Sequence, residues 1–261
     1  MTTTINTLDR PTPPLGGFNL TILNLELRRL LRNRRTVIFT LIMPVALFLL
    51  IGLNSEYVHK SAGRGNVSAY LMISFGVYGA VLATTSGGAM VSVERALGWS
   101  RQLRLTPLSS TAYIALRMTV ALSLGLASIL VVYAVGIASG KPSMPVWVWV
   151  STAAIGWVGS LVFAAFGLFM GYLLPSENVM QILGPVMAGL AALGGLWFPL
   201  QDGSTIQQVA QFTPMYGLAE LARAPLTGGT VEIGWVVNVV AWLVIFGAGA
   251  AWRFRKDTAR V

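Results

Sequence analysis

Apolar residues in this sequence fall into six long stretches that alternate with short polar connections. A helix needs about 20 apolar residues to cross a hydrocarbon core, and each stretch is close to that length or longer. The stretches contain no Asp, Glu, Lys or Arg, so their backbone polar groups must be satisfied within helices. The pattern predicts an all-α polytopic membrane protein with six transmembrane helices, at Thr36–Leu53, Val67–Val91, Met118–Ala138, Val146–Leu174, Val179–Leu200 and Ile233–Trp252.

Composition supports the membrane class and removes several chemistries. Hydrophobic residues make up 55% of the 261 residues and charged residues only 10%, whereas soluble domains carry about 25% charged residues. The chain has no cysteine, which excludes disulfides and thiol catalysis. Its net charge of +9 is concentrated at the ends of the apolar stretches, as in membrane proteins and unlike a nucleic-acid-binding patch.

The distribution of basic residues predicts the orientation. If the N-terminus is cytoplasmic, the outer loops hold only Lys60, Arg64, Lys141 and Arg223. The inner side then holds Arg10, Arg28, Arg29, Arg32, Arg34, Arg35, Arg95, Arg101, Arg104, Arg117, Arg253, Arg255, Lys256 and Arg260. This bias predicts that both termini lie in the cytoplasm.

A basic amphipathic helix is predicted at residues 18–35, after a disordered cytoplasmic tail at residues 1–17. Leucines and arginines fall on different faces of this helix. The leucine face holds Leu20, Leu23, Leu27, Leu30 and Leu31, and the arginine face holds Arg28, Arg29, Arg32 and Arg35. The pattern favours a helix in the inner membrane interface, where its arginines contact anionic lipid headgroups. A plain topology anchor is the alternative.

A charged segment, VSVERALGWSRQLRLTPLSSTAYIALR, separates the second and third apolar stretches. If Ser92–Leu105 is one helix, Ala96, Trp99 and Leu103 share a face that Glu94, Arg101 and Arg104 avoid. Glu94 and Arg101 are too far apart to pair along that helix, so both charges are expected to be available to a partner. Thr106-Pro107 should end the helix. A solvated loop that only enforces topology is the alternative.

Two motifs in this order resemble the membrane subunits of type-2 ABC exporters, the ABC-2 permeases, and most nearly the small daunorubicin-resistance type. The first combines Glu94-Arg95, Gly98, Leu103-Arg104-Leu105-Thr106-Pro107-Leu108, Tyr113 and Arg117. The second is Gly194-Gly195-Leu196-Trp197-Phe198-Pro199-Leu200, followed by Phe212-Thr213-Pro214-Met215-Tyr216-Gly217. With six spans and the basic helix before the first, the resemblance covers the chain from about Phe18.

The resemblance implies that the coupling segment, residues 92–112, docks onto a separate cytoplasmic ATPase. The residues expected to form this contact are Glu94, Arg95, Gly98, Trp99, Arg101, Leu103, Arg104, Thr106 and Pro107. The sequence contains no G-x-x-x-x-G-K-[ST] loop, so we expect no enzyme activity from this chain itself. ATP and Mg²⁺ would bind two copies of the ATPase, beneath two permease subunits that are identical or related.

The resemblance also implies that the second and fifth spans of two protomers line the transport path. The candidate wall residues are Phe75, Tyr78, Leu82, Met180, Leu183 and Met187. Such a wall is apolar and adaptable, which favours a lipophilic or amphipathic small molecule. The alternative is that these residues only contact lipid or neighbouring helices.

Residues 201–229 are predicted to form an external hairpin of two short helices that meet at Thr213-Pro214, because a structureless loop of this length is uncommon. Arg223 and Glu220 would face water or pair locally. The predicted organisation is one transmembrane domain at residues 18–252 and a basic cytoplasmic tail at residues 253–261.

Together these features predict the permease subunit of a drug-like, antibiotic or lipid exporter in a bacterial cytoplasmic membrane. A glycan or haem exporter of the same class remains open. An ion-coupled carrier or channel is the alternative from another class, although it would usually have an ionisable residue within a span.

Overall fold

The computed structural model describes residues 20–98, 110–201 and 203–258, and these residues form an all-α membrane protein. In this part of the chain, four helical segments are long and apolar enough to cross a membrane. They are Val67–Ala96, Ala112–Ser139, Val146–Leu173 and Ile233–Phe254. The first and fifth predicted spans also form helical structure, but their apolar helices are shorter.

The elements follow one another along the chain with short connections. In order, they are α1 (Leu20–Arg32), α2 (Arg34–Val37), a π-helical turn (Ile38–Ile42), α3 (Met43–Leu47), a second π-helical turn (Phe48–Gly52), α4 (Ser55–His59), β1 (Ser61–Ala62), β2 (Gly65–Asn66), α5 (Val67–Ala96), α6 (Ser110–Ser139), α7 (Val146–Gly159), α8 (Leu161–Leu173), α9 (Ser176–Leu193), α10 (Thr205–Ala210), α11 (Pro214–Thr227) and α12 (Ile233–Thr258). The two strands pair antiparallel, with Ser61 opposite Asn66.

Helix α5 is the central helix of the bundle and packs along α6 and α8. Its contact with α8 depends on a glycine, because a Cβ atom on Gly167 would lie 2.1 Å from the Thr85 carbonyl oxygen. Small residues allow helix backbones to approach closely in membranes, where van der Waals packing drives association. Gly167 therefore allows α5 and α8 to pack closely at this point.

The first predicted span is a run of α- and π-helical turns around Pro44. Proline has no N–H group, so the carbonyl four residues earlier, that of Thr40, loses its usual helical partner. The Ser128 hydroxyl of α6 donates to this carbonyl oxygen at 2.6 Å. An inter-helix hydrogen bond thus satisfies a backbone group that proline leaves without a partner.

Asn66 organises the end of the bundle where α5 begins, which we call the Asn66 end. Its Nδ2 donates to the carbonyls of Val58 at 3.1 Å and Lys141 at 2.8 Å. Its Oδ1 accepts from the backbone N–H groups of Ala69 and Ser143. One side chain therefore fastens the connections before α5 and after α6. The opposite end, where α5 stops, is called the Glu94 end.

The predicted hairpin consists of α10 and α11, and α11 packs against α5, α7 and α12. Leu218 of α11 is fully buried and lies against Gly159, where α7 gives way to α8. The hairpin therefore reaches well into the bundle.

The turn between α10 and α11 has its backbone groups satisfied by α12. Asn238 Nδ2 donates to the Gln211 carbonyl at 2.8 Å, and Trp242 Nε1 donates to the Phe212 carbonyl at 2.9 Å. Thr213 caps α11, with its hydroxyl oxygen accepting from the Tyr216 N–H. Side chains of α12 and Thr213 thus supply hydrogen-bond partners for this turn.

The limits of the fourth predicted span, Val146–Leu174, are confirmed to within one residue, and the limit of the fifth requires correction. The fourth span has one non-helical residue, Ser160, whose hydroxyl donates to the Trp157 carbonyl at 2.6 Å. The fifth predicted span, Val179–Leu200, is the 18-residue helix α9 and ends at Leu193, seven residues earlier than expected. Gly195 follows it in the left-handed conformation, with φ of 67°, which stops the helix.

Candidate functional site

Helix α5 ends at Ala96 because Gly98 turns the chain out of the helix. Gly98 has φ of 72°, in the left-handed region, and its N–H donates to the Arg95 carbonyl at 3.0 Å. A left-handed glycine just after a helix is a common C-terminal cap. The prediction of one helix over Ser92–Leu105 is therefore wrong, and the predicted shared face cannot be placed because Trp99 and Leu103 lie outside the described residues. Gly98 itself was the sequence signal for this stop.

The structure describes only three residues of the predicted ATPase contact, namely Glu94, Arg95 and Gly98. The others lie outside the described residues: Trp99, Arg101, Leu103, Arg104, Thr106 and Pro107. Their docking role stays a prediction.

Glu94 is buried, with only 5% of its side chain exposed. Its Oε1 accepts a hydrogen bond from Nη2 of Arg117, and its Oε2 accepts one from the Tyr113 hydroxyl. Tyr113 and Arg117 are four residues apart on α6, so both side chains reach the same carboxylate. The expectation that Glu94 is available to a partner is wrong, because two groups of its own chain occupy it.

Arg117 extends this arrangement to α1. Its Nη1 donates to Glu26 Oε2 at 3.0 Å, and the Arg117 side chain is likewise 5% exposed. Arg29 Nη1 lies 3.8 Å from Glu26 Oε1 and 4.0 Å from Glu94 Oε1. We call Glu26, Arg29, Glu94, Tyr113 and Arg117 the Glu94 cluster. Two carboxylates and two guanidinium groups balance in charge, which offsets the high cost of burying Glu94 and Arg117.

The sequence contained a signal for this cluster that concerns Glu26. This residue lies between Leu23, Leu27 and Leu30 on the inner face of α1, and it is partly buried there. An acidic residue on an apolar helix face needs a partner, since an unpaired buried charge is strongly unfavourable. Which helix supplies that partner could not be derived from the sequence, because Arg117 lies 91 residues away.

Arg95 joins α5 to the end of α8. Its Nη1 donates to the Tyr172 carbonyl at 3.2 Å, and its guanidinium lies 5.5 Å from the centre of the Tyr172 ring. The last carbonyls of a helix lack intrahelical partners, so a basic side chain is a suitable donor at this position. Glu94 and Arg95 thus connect α5 to three neighbouring helices.

The predicted interfacial helix corresponds to α1, but its leucines divide between two environments. Leu23, Leu27 and Leu30 pack near Ala83, Val120 and Leu124 of α5 and α6. Leu20 and Leu31 are exposed, which corrects their assignment to the same face. Arg28, Arg29 and Arg32 are exposed as well, and the Arg35 side chain lies outside the described residues.

The candidate wall residues lie inside the protomer, between α5 and α9. Phe75, Tyr78, Leu183 and Met187 are buried, Leu82 is half-buried, and the Met180 side chain is not described. The Thr85 hydroxyl donates to the Met187 sulfur at 3.7 Å across this contact. These side chains pack the two helices together in this conformation. The opposite face of α9 is exposed and includes Gln181, Ile182, Val186, Gly189 and Leu193.

Arg223 of α11 is fully buried at the Asn66 end. Its guanidinium donates to the Tyr70 hydroxyl at 2.5 Å, the Gly195 carbonyl at 2.8 Å and Glu220 at 2.7 Å. Its Nε donates to the Ala219 carbonyl at 3.1 Å. Arg223 pairs with its neighbour Glu220 and is not water-facing. It also joins the hairpin to α5 and to the end of α9.

Residues 19–226 match the sequence profile of the ABC-2 type transporter family, which covers both charged clusters and the helices between them. The chain therefore belongs to this family of transport membrane subunits, which confirms the resemblance drawn from the motifs. Members act as membrane subunits of ABC transporters and are not themselves enzymes.

The protein YvfS of Bacillus subtilis (strain 168), named as a candidate transport permease, is 27% identical over 237 residues. The match covers 90% of this chain and 96% of the relative. The similarity thus extends over the whole arrangement of helices.

Proposed function

We propose that this chain is the permease subunit of an ATP-driven exporter that moves a lipophilic or amphipathic small molecule out of the cytoplasm or the inner leaflet. Membership of the ABC-2 type transporter family over residues 19–226 carries the proposal. Because the sequence has no phosphate-binding loop, ATP and Mg²⁺ bind a separate ATPase in this scheme.

The proposed topology has six spans, with the Glu94 end in the cytoplasm of a bacterial cell and the Asn66 end outside. The chain runs between the two ends in alternating directions, and helical structure from Arg34 to Gly52 and in α9 supplies the first and fifth passes. At 1.5 Å per residue these two passes are roughly 27 Å long, close to a hydrocarbon core. The excess of arginine at the Glu94 end supports this orientation.

The ATPase is proposed to dock on the coupling segment beyond Gly98. Arg101 and Arg104 supply polar contacts, and Trp99 and Leu103 supply apolar ones. Glu94 is proposed to have a structural role instead of an ATPase contact, because it is buried and binds Arg117 of α6.

Two permease subunits, identical or related, are proposed to pair across the exposed face of α9. Gly184 and Gly189 have open space above them, so a partner backbone can approach closely there. Exposed Ile182 and Val186 flank them. This face would line the path between protomers, while Phe75, Tyr78 and Met187 become accessible only if α5 and α9 separate.

Ion-coupled transport is less well supported. Helices α5 and α6 do extend beyond the predicted spans and include Glu94 and Arg117, which are ionisable. These two residues bind each other near one end of the bundle, however, and a coupling ion would have to displace a salt bridge. Transport driven by an ATPase partner does not require this salt bridge to break.

Co-purification tests the proposal. Extracted gently in detergent, the chain should carry a soluble Walker-type ATPase, and the mass of the complex should correspond to two permeases and two ATPases. The Arg101→Glu, Arg104→Glu double variant should insert normally but lose the ATPase. Arg64→Glu, at the opposite end, serves as the matched control. Purification without an ATPase, combined with transport driven by a proton gradient, would contradict the proposal and favour an ion-coupled carrier.

A further inference from the structure

The Glu94 cluster joins three separate elements at the two borders of the coupling segment. Glu94 lies at the start of the segment, near the end of α5, and Tyr113 and Arg117 lie on α6 just after it. Glu26 and Arg29 belong to α1, which is remote from both in sequence. The described side chains at the two borders of the segment therefore bind each other, and each border also contacts α1.

These contacts are directional and are shielded from water. Arg117 donates to both Glu94 and Glu26 and lies with its guanidinium 5.4 Å from the centre of the Tyr113 ring. Charge-assisted hydrogen bonds are about twice as strong as neutral ones, and separating a buried pair leaves an uncompensated charge. Independent movement of α1, α5 or α6 at this end is therefore strongly disfavoured.

Apolar contacts alone would hold α1 less firmly. Leu23, Leu27 and Leu30 pack α1 against the bundle. In a bilayer, apolar side chains gain little from contacting protein instead of lipid tails, so these leucines allow sliding. Glu26 adds the polar contact that determines the position of α1 relative to Arg117.

We propose that the Glu94 cluster is a rigid joint that makes α1, the end of α5 and the start of α6 move as one body. Glu26, Glu94 and Arg117 are its positioning residues. A push on the coupling segment is then delivered to α1 and α6 as well as to α5. This inference rests on the proposed ATPase contact, since the joint transmits movement from that contact.

Distance measurement between spin labels tests the joint. The chain has no cysteine, so Leu25→Cys and Ala115→Cys place one label on α1 and one on α6 at exposed positions without removing native cysteines. The labelled permease is reconstituted with its ATPase in lipid nanodiscs. In the otherwise unmodified protein, the distance should stay narrow and unchanged between the nucleotide-free and the vanadate-trapped states.

The Glu26→Gln variant removes the ionic contacts of Glu26 on α1 and leaves the Glu94–Arg117 pair and the longer Arg29–Glu94 contact intact. We expect a broader distance distribution that shifts with nucleotide, and a clear loss of cargo exported per ATP, because α1 no longer follows α6. Glu26→Asp should restore part of the coupling. Glu56→Gln removes an exposed carboxylate at the other end and should change neither quantity.

The outcomes are distinguishable. A label distance that changes with nucleotide in the otherwise unmodified protein would show that α1 and α6 move separately, and would overturn the joint. Unaltered coupling and distance in Glu26→Gln would overturn it too. If the unmodified chain binds no ATPase, the proposed function is contradicted instead. The joint would then have no ATPase-driven movement to transmit.

Discussion

Glu94 and Arg117 show how burial changes the meaning of a charged residue in a membrane protein. Both belong to helices that are otherwise apolar, and both are 5% exposed at the side chain. Each is the main partner of the other, with further hydrogen bonds from Tyr113 to Glu94 and from Arg117 to Glu26. The two borders of the charged segment are thus joined by buried contacts of Glu94 with Tyr113 and Arg117.

Replacement of Arg117 by Met tests this mutual dependence. The substitution leaves Glu94 and Glu26 buried without their main partner, and we expect a loss of about 3–5 kcal/mol in the free energy of unfolding. Thermal melting of the detergent-solubilised protein measures the loss. The Glu94→Gln, Arg117→Met double variant should recover part of it. A melting temperature as high as that of the unmodified chain would contradict the buried pair. Lys60→Met breaks an exposed pair and is the control.

Arg223 tests the polar contacts at the opposite end. Arg223→Lys keeps the charge but loses the planar fork that reaches Tyr70, Gly195 and Glu220 together. We expect a clear drop in melting temperature and faster proteolysis at the connection between α9 and α10. Tyr70→Phe removes one of these contacts and should give a smaller drop. Equal stability of all three proteins would show that the guanidinium geometry is unimportant.

At the scale of elements, close helix contacts should discriminate between glycines. Gly167→Ala forces the backbones of α5 and α8 apart, since its Cβ would collide with the Thr85 carbonyl, and we expect about 1–3 kcal/mol of destabilisation. Gly189 has open space around it, so Gly189→Ala should leave the isolated protomer unchanged or slightly more stable. Thermal melting compares the two variants. Equal effects would contradict the packing of α5 against α8.

Helix α9 has two faces with different expected roles. Met187→Ala removes a buried side chain between α5 and α9 and should lower the free energy of unfolding by about 2–5 kcal/mol. Val186 is exposed on the opposite face, so Val186→Ala should leave the melting temperature nearly unchanged while altering cargo-stimulated ATPase activity. If Met187→Ala alters cargo-stimulated ATPase activity and Val186→Ala only lowers the melting temperature, Met187 lines the path and Val186 does not.

At the scale of the whole molecule, the proposed orientation predicts which positions a membrane-impermeant thiol reagent can reach. His59→Cys, at the Asn66 end, should react in intact cells, because that end is proposed to face outside. Leu97→Cys, exposed at the Glu94 end, should react only after the membrane is permeabilised. The absence of native cysteine makes each signal unambiguous. The reverse labelling pattern would contradict the proposed orientation, because the proposed ATPase contact would then lie outside the cell.

The sequence predicted the elements better than their contacts. Apolar length located α5, α6 and α12, since long apolar stretches have few alternatives to helix in a bilayer. Two helices end earlier than predicted, because glycines in the left-handed conformation at positions 98 and 195 stop them. The pairing of Glu94 with Arg117 was not predicted, because the two residues are 23 positions apart and only the fold brings them together.

By itself, the sequence determined that this chain is an all-α membrane protein of the ABC-2 type, because apolar length, charge bias and motif order are local properties of the chain. Tertiary structure decided which charges are buried, which face of α9 is exposed and how α1 is attached. Those properties depend on side chains from distant segments meeting in a medium that does not solvate an unpaired charge. The segment between α5 and α6 was distinctive in the sequence for its charges. In the structure, Glu94 at one border of this segment binds Tyr113 and Arg117 at the other.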